Sequence, residues 1–279
     1  MNICIHQYLK NCRTNPQPPG FADFIRGTVA LFLYCKKYNY TLYIDYNIHP
    51  IFKYFNFSKE IYTQENSSNQ TIELLPPLSY EEINNQLLNL FNNNLNINIL
   101  TNSFYNESDE NINESYSFIK EILLPNFDIK NIFESNLEKM KLVKNNYVVI
   151  HLRFHDNAIF NPSYDIREEI KLKIINLINN IKLQDKNIVI ISNFYNFINY
   201  LKNNIDNVNF SDNLPIHLGS LDSSNNIEEK IKGTVLDLLL LINCNKIYSL
   251  SEYGGSGFSQ IISKIYNIQY YNYSDNFFN

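Results

Sequence analysis

The segment NNYVVIHLRFHDN, Asn145 to Asn157, concentrates the chemistry of this sequence: an apolar run from Tyr147 to Ile150 passes straight into His151, Arg153, His155 and Asp156. On an extended chain, alternate residues share a face, so His151, Arg153 and His155 look one way while Leu152 and Phe154 look the other. Arginine keeps its charge and its fork takes two oxygens at once, which suits a diphosphate. Singly, His151 reads as well as a satisfied core histidine, and Arg153 as half of a structural ion pair. Three polar groups converging at the carboxyl end of a strand favour a ligand site.

Three other places carry candidate chemistry. Asp237 interrupts an otherwise apolar helix face in GTVLDLLLLINCNKIYSL, and an unpaired buried carboxylate is expensive. Its partner is either a structural Arg or Lys or a ligand N–H donor, and guanine presents two parallel donors in N1–H and the N2 amine. In SEYGGSGFSQ, Gly254, Gly255 and Gly257 let backbone approach a ligand, and Ser256 or Ser259 offers a hydroxyl to an anion at the start of a helix; a glycine-rich surface turn is the plainer reading. In PPGFADFIRGTVALFLYCKKY, Gly20 stands where a strand hands over to a helix with free N–H groups, or is merely a turn, with Asp23 a first-turn residue favoured by the helix dipole. Asp-x-Asp, G-x-G-x-x-G, G-x-S-x-G and the P-loop pattern are all absent, which speaks against a metal-diphosphate arrangement, a dinucleotide cofactor, a serine hydrolase and a P-loop enzyme.

The elements that must position these residues alternate. Strand Ile3 to His6, helix Phe21 to Tyr38 and strand TLYIDY make a β-loop-α-β unit. A helix starts at Ser79, whose SYEE has the capping-box pattern; a strand covers Leu95 to Leu100, and TNSFYNESDENINES is polar enough for an exposed loop. A helix over Phe133 to Lys144 leads into strand Tyr147 to Leu152. Helix Ile166 to Ile181, strand Asn187 to Ile191, helix Phe194 to Asn203, strand Ile216 to Leu218, helix Ile227 to Asn243, strand Lys246 to Leu250 and helix Gly257 to Tyr266 follow. Such alternation predicts parallel sheets covered by helices, with ligands outside the carboxyl ends of the strands. The expected fold class is α/β, two Rossmann-like lobes over residues 1–140 and 141–279, with a boundary near Pro125 to Asn145.

The 279 residues are enough for two such lobes, and a hydrophobic fraction of 44% with Tyr 21 and Phe 19 argues for a folded chain. A formal charge of -5 gives no general attraction to nucleic acid or to an acidic membrane, so any anion site is local. Cys4, Cys12, Cys35 and Cys244 show neither zinc spacing nor a disulfide framework and read as reduced thiols. MNICIHQYLK has no leader-like pattern, and the run Val235 to Ile242 is far short of the roughly 20 residues of a membrane helix. The expectation is a soluble, cytoplasmic protein without a membrane segment.

Together these blocks resemble the inverting fucosyltransferases that use GDP-fucose, the superfamily of α1,2-, α1,6- and protein O-fucosyltransferases and the nodulation-factor enzyme. GFADFIRGTVALFLYCKKYNYTLYIDY is similar to their Gly-x-x-Asp helix and following strand, HLRFHDN to their His-x-Arg-Arg-x-Asp motif, and GTVLDLLLLINCNKIYSLSEYGGSGFSQ to their Asp-helix-strand segment with its phosphate-facing Ser. Phe154 stands at the family's second Arg, and His155 at its small residue before Asp. The resemblance implies a GT-B fold, an acceptor-side N-terminal lobe, a donor-binding C-terminal lobe, and a C-terminal tail that returns to the N-terminal lobe, with Gly20 counted among the donor-binding residues through backbone N–H groups that face an anion. His151 and Arg153 would then hold the GDP diphosphate, Asp237 the guanine, and Gly257, Phe258 and Ser259 the β-phosphate. It implies metal-independent transfer of fucose to a glycan hydroxyl, with Arg153 stabilising the leaving group and Asp156 or His155 as general base. A transferase for another nucleotide sugar, or a catalytically inactive binding protein on the same fold, are the alternatives.

Overall fold

A computed structural model describes residues 2–8, 20–45, 49–56, 62–63, 71–75, 78–93, 96–155, 158, 161, 164–213 and 226–274. The expected strand Ile216 to Leu218, the C-terminal tail, Cys12 and Asp156 lie outside them. Compact packing divides the chain between Asn126 and Phe127.

In the first unit, strands β1 (Asn2–Gln7), β2 (Tyr40–Asp45), β3 (Tyr62–Thr63), β4 (Ile72–Leu74) and β5 (Ile97–Thr101) form a parallel sheet in the order β3-β2-β1-β5-β4. Helix α1 (Phe21–Tyr38) links β1 to β2 and is apolar on most of its circumference, burying Phe24, Ile25, Val29, Leu31 and Leu33 among others. Its approach to the sheet requires Gly27: a Cβ there would lie 1.9 Å from the Thr101 carbonyl oxygen. Asn39, in the left-handed conformation at φ 58, ends the helix and turns the chain into β2. Helix α2 (Tyr80–Asn92) starts with the expected capping box, Ser79 Oγ accepting from Glu82 N at 3.2 Å and Glu82 Oε2 from Ser79 N at 2.7 Å.

The polar stretch expected as a loop over TNSFYNESDENINES is one only in part. Helix α3 (Ile112–Ile122) takes over its end, because Ser115, Ile119 and Ile122 recur on one face and bury, while Asn and Glu occupy the outer face.

In the second unit, α4 (Phe127–Lys139) begins and ends earlier than expected. Ile129, Phe133 and Leu137 form its buried stripe, and Lys141 at φ 56 breaks it, with Leu142 N bonded back to Leu137 O at 2.9 Å. Strands β6 (Val148–Arg153), β7 (Ile188–Ser192), β8 (Asn209–Phe210), β9 (Lys246–Ser251) and β10 (Gln269–Asn272) form a second parallel sheet, ordered β10-β9-β6-β7-β8. The intervening helices are α5 (Glu168–Gln184), α6 (Tyr195–Asn204), α7 (Ile227–Ile242) and α8 (Gly257–Tyr266).

Ile150, Leu152 and Phe154 pack with Ile170, Ile174 and Ile178 of α5 and Phe197 and Leu201 of α6 on one face of this sheet. Val149, His151, Arg153, Ile247, Ser249 and Ser251 therefore occupy the opposite face. Cys4, Cys35 and Cys244 are buried free thiols. Among the described residues, no helix is long and apolar enough to cross a membrane.

Candidate functional site

In the second unit the chain builds β6 first, lays β7 and β8 on one side of it, and then crosses to lay β9 and β10 on the other. The order reverses between β6 and β9, and the crevice outside the carboxyl ends of two such strands is where an open α/β sheet takes its ligand. His151 pairs in register with Ser249, and Arg153 with Ser251, at this reversal. Helix α8 starts just beyond, at Gly257.

Burial divides these side chains by role. His151 is 6% exposed, its ring edge-on to Phe258 at 6.2 Å, and burial lowers its pKa to about 3, with the Arg153 charge adding to the effect. It is a neutral imidazole, and among the described residues its buried Nδ1 has no hydrogen-bond partner; neither has the buried hydroxyl of Ser249. These two atoms on neighbouring strands leave hydrogen-bonding capacity at the strand-order reversal that the described residues do not use. Arg153 is partly buried; its Nη1 donates to the Phe154 carbonyl at 2.5 Å, and its guanidinium lies 5.4 Å from the centre of the Tyr253 ring.

Phe154 faces away from Arg153, 1% exposed and edge-on to Phe194 at 5.7 Å and Phe197 at 5.2 Å. Its residue type follows from the core behind the strand. His155 is exposed at the strand's end and tilted against Tyr253 at 4.9 Å.

Helix α8 has Ser256 at its N-cap without a side-chain cap bond, and its first backbone bond runs from Gln260 N to Ser256 O at 3.0 Å. The N–H groups of Gly257, Phe258 and Ser259 thus stand at the positive end of the helix dipole without an intrahelical acceptor. Ser259 is fully buried, and its hydroxyl donates back to Ser256 O at 3.5 Å, so what it turns toward the crevice is backbone. In the first unit, Gly20 is the N-cap of α1, also with no side-chain cap bond, and Asp23 pairs with Arg26 at 2.8 Å.

Among the described residues, Asp237 pairs with neither a Lys nor an Arg; Ser211 Oγ and Asn213 Nδ2 both donate to its Oδ1, each at 2.6 Å. Burial pushes its pKa up to about 6 against the opposing effect of those two donors. Ser211 and Asn213 also line a cavity of ≈ 270 Å³ walled by Phe133, Phe210, Leu236 and Leu240, with Asn136 and Lys139 at its polar side. That is near the lower end of the ~300–1,000 Å³ typical of ligand pockets and fits a flat ring system better than a whole nucleotide sugar.

The geometry adds residues that the spacing of HLRFHDN does not reveal. Asn193 brackets the Phe154 backbone, its Oδ1 accepting from Phe154 N at 2.8 Å and its Nδ2 donating to Phe154 O at 2.9 Å. Glu252 accepts from His155 N at 2.5 Å and from the Tyr164 hydroxyl at 2.7 Å to each oxygen, tying the segment after β6 to the end of β9. The pair Gly254–Gly255 marks the turn that carries Glu252 and Tyr253, and it is the one trace of them in the sequence.

No protein-family model and no curated protein sequence matches the chain. Solved structures do. The NodZ α1,6-fucosyltransferase soaked with GDP-fucose superposes with a TM-score of 0.59 at 12% identity over 95% of this chain and 92% of that one, and NodZ is from Bradyrhizobium. An Arabidopsis thaliana FUT1 mutant in complex with GDP gives a TM-score of 0.59 at 10% identity over 97% of this chain and 70% of that one. POFUT1 in complex with GDP gives 0.55 at 10% identity over 98% of each. Across nearly its whole length, the chain has the two-unit α/β fold, GT-B, that these fucosyltransferases share.

Proposed function

We propose that this protein is a glycosyltransferase that moves fucose from GDP-fucose to a hydroxyl of a glycan acceptor, with inversion at the anomeric carbon and without a metal ion. The observation that carries the reading is the convergence of Arg153, the unsatisfied His151 Nδ1 and Ser249 hydroxyl, and the N-terminus of α8 on one strand-order reversal. The structures of similar fold that hold GDP or GDP-fucose support its choice of nucleotide.

The roles follow from chemistry. The Asp237 carboxylate accepts from guanine N1–H and the N2 amine, with Ser211 and Asn213 orienting it through Oδ1. The Arg153 guanidinium and the N–H groups of Gly257, Phe258 and Ser259 receive the diphosphate, and His151 adds a neutral hydrogen bond. In the transfer step the acceptor oxygen bonds to the anomeric carbon as that carbon's bond to the β-phosphate oxygen breaks. GDP leaves with the electron pair, and the acceptor proton passes to a base, for which His155 and Asp156 are the candidates. Negative charge grows on the β-phosphate in that step, so a fixed guanidinium and a helix N-terminus lower its barrier. The first unit serves the acceptor.

A thermal-shift series with GDP, UDP and dTDP tests this reading. GDP is expected to raise the melting temperature well above the other two, and Arg153→Ala to remove the increase. A well-folded sample indifferent to GDP overturns it. Release of GDP from GDP-fucose on addition of acceptor glycans then tests turnover.

A further inference from the structure

His151 and Ser249 stand side by side on β6 and β9 with bonding capacity left over on each. They are register partners, their side chains lie on one face of the sheet, both are buried, and among the described residues neither His151 Nδ1 nor the Ser249 hydroxyl has a hydrogen-bond partner. Of the two ring nitrogens only Nδ1 is enclosed in this way, while the residue keeps an exposure of 6%. Phe258, in the first turn of α8, packs edge-on to the imidazole at 6.2 Å. Nε2 is therefore the nitrogen left to a ligand at the start of that helix.

A neutral imidazole donates at one nitrogen and accepts at the other, and the partner of one fixes the role of the other. Burial, aided by the Arg153 charge, keeps this ring neutral, so its tautomer decides what it offers. We infer that Ser249 is a positioning residue: its hydroxyl donates to His151 Nδ1 and thereby holds the ring proton on Nε2, so that the imidazole meets the crevice as a hydrogen-bond donor. Neighbouring strands stand about 4.8 Å apart, and rotation about the Ser249 Cα–Cβ bond brings the hydroxyl to the Nδ1 of its register partner. The reverse arrangement, Nδ1–H donating to Oγ, would leave the hydroxyl proton buried without an acceptor, and an enclosed orphan donor is rarer than an under-used acceptor. It would also turn the Nε2 lone pair toward phosphate oxygens, which are acceptors themselves. What this implies for GDP rests on the reading of the crevice as a nucleotide-sugar site; the tautomer does not.

Long-range proton–nitrogen correlation spectra of the protein carrying isotope-labelled histidine read the tautomer, with His151 assigned by the loss of its signals in His151→Gln. The wild type is expected to show the Nε2–H form at neutral pH, and Ser249→Ala to lose that preference. In calorimetric titration Ser249→Ala should bind GDP roughly three- to tenfold more weakly, the worth of one hydrogen bond. Ser249→Thr, which keeps the hydroxyl, should restore the wild-type tautomer and affinity. An Nδ1–H ring in the wild type, or a tautomer unmoved in Ser249→Ala, overturns the inference; a purely packing role for Ser249 would change the melting temperature without moving the proton. A displaced proton with unchanged GDP affinity removes Ser249 from donor binding. A wild-type protein with the Nε2–H ring that binds no nucleotide sinks the donor reading and leaves the Ser249–His151 contact standing.

Discussion

Ser211 Oγ stands 2.6 Å from Asp237 Oδ1 and, with Asn213, directs both donors to one oxygen of a carboxylate whose pKa burial raises to about 6. Raised above its ordinary 3.8, the folded carboxyl holds a proton that the unfolded chain has released. Asp237 therefore destabilises the fold increasingly from about pH 4 to about pH 6 and by a constant amount above that. Asp237→Asn keeps an acceptor for both donors and removes the charge. It is expected to stabilise the protein at pH 7.5 by on the order of 1–2 kcal/mol, allowing for partial exposure, with the gain shrinking toward pH 4. Differential scanning calorimetry at the two pH values checks this, and a constant gain would rule out the charge as its cause.

If Asp237 reads guanine as proposed, the same carboxylate gives the nucleotide preference a pH dependence. Recognition of two guanine N–H donors needs the deprotonated form, so the ratio of GDP to UDP affinity should be flat above about pH 7 and fall as pH drops through about 6. Taking the ratio cancels the titration of the phosphates, which both nucleotides share. In Asp237→Asn the ratio should be low and independent of pH; a variant that keeps the wild-type profile would remove Asp237 from base recognition.

Phe154 occupies the position where the resemblance to fucosyltransferases puts a second Arg, yet its ring lies in the aromatic core formed with Phe194 and Phe197. Phe154→Arg should therefore destabilise by more than the ~3–5 kcal/mol of a buried Phe→Ala change, since it leaves a charge in that core. It should not strengthen GDP binding. Urea unfolding followed by circular dichroism, with GDP titration of whatever remains folded, decides between a lost core residue and a regained phosphate ligand.

At Gly27 two effects oppose each other. Replacing a helical glycine with alanine ordinarily gains about 1 kcal/mol, but here the new Cβ would sit 1.9 Å from a backbone oxygen of Thr101, which cannot swing aside. The clash prevails, and Gly27→Ala should lower stability by about 2 kcal/mol or more, read as a shift of the urea midpoint at unchanged slope. A stabilised variant would show that α1 and β5 can separate freely.

Much of this architecture is legible in the residues. The runs of Ile, Val and Leu at β6 and β7 are those of strands buried on both faces, and glycine at 257 with Asn267 in the left-handed conformation bounds α8. Short edge strands such as β8 and β10 carry too few apolar residues to register, and α3 hides in a polar stretch because only every third or fourth residue is buried. At the site, His151, Arg153 and Asp237 stand out because charge is rare in apolar surroundings. Glu252, Tyr253 and Asn193 do not, since their neighbours in space are remote in sequence and an exposed Glu or Tyr is ordinary.

That remoteness bears on how the protein acquires its site. The bond from His155 N to Glu252 spans 97 residues, and β6 must be flanked by β7 before β9 closes on its other edge if the sheet grows in chain order. Closing so long a loop is slow and entropically expensive until both strands are docked. The crevice is then among the last places in the second unit to take shape during folding, and a nucleotide that binds there recognises a chain that has finished.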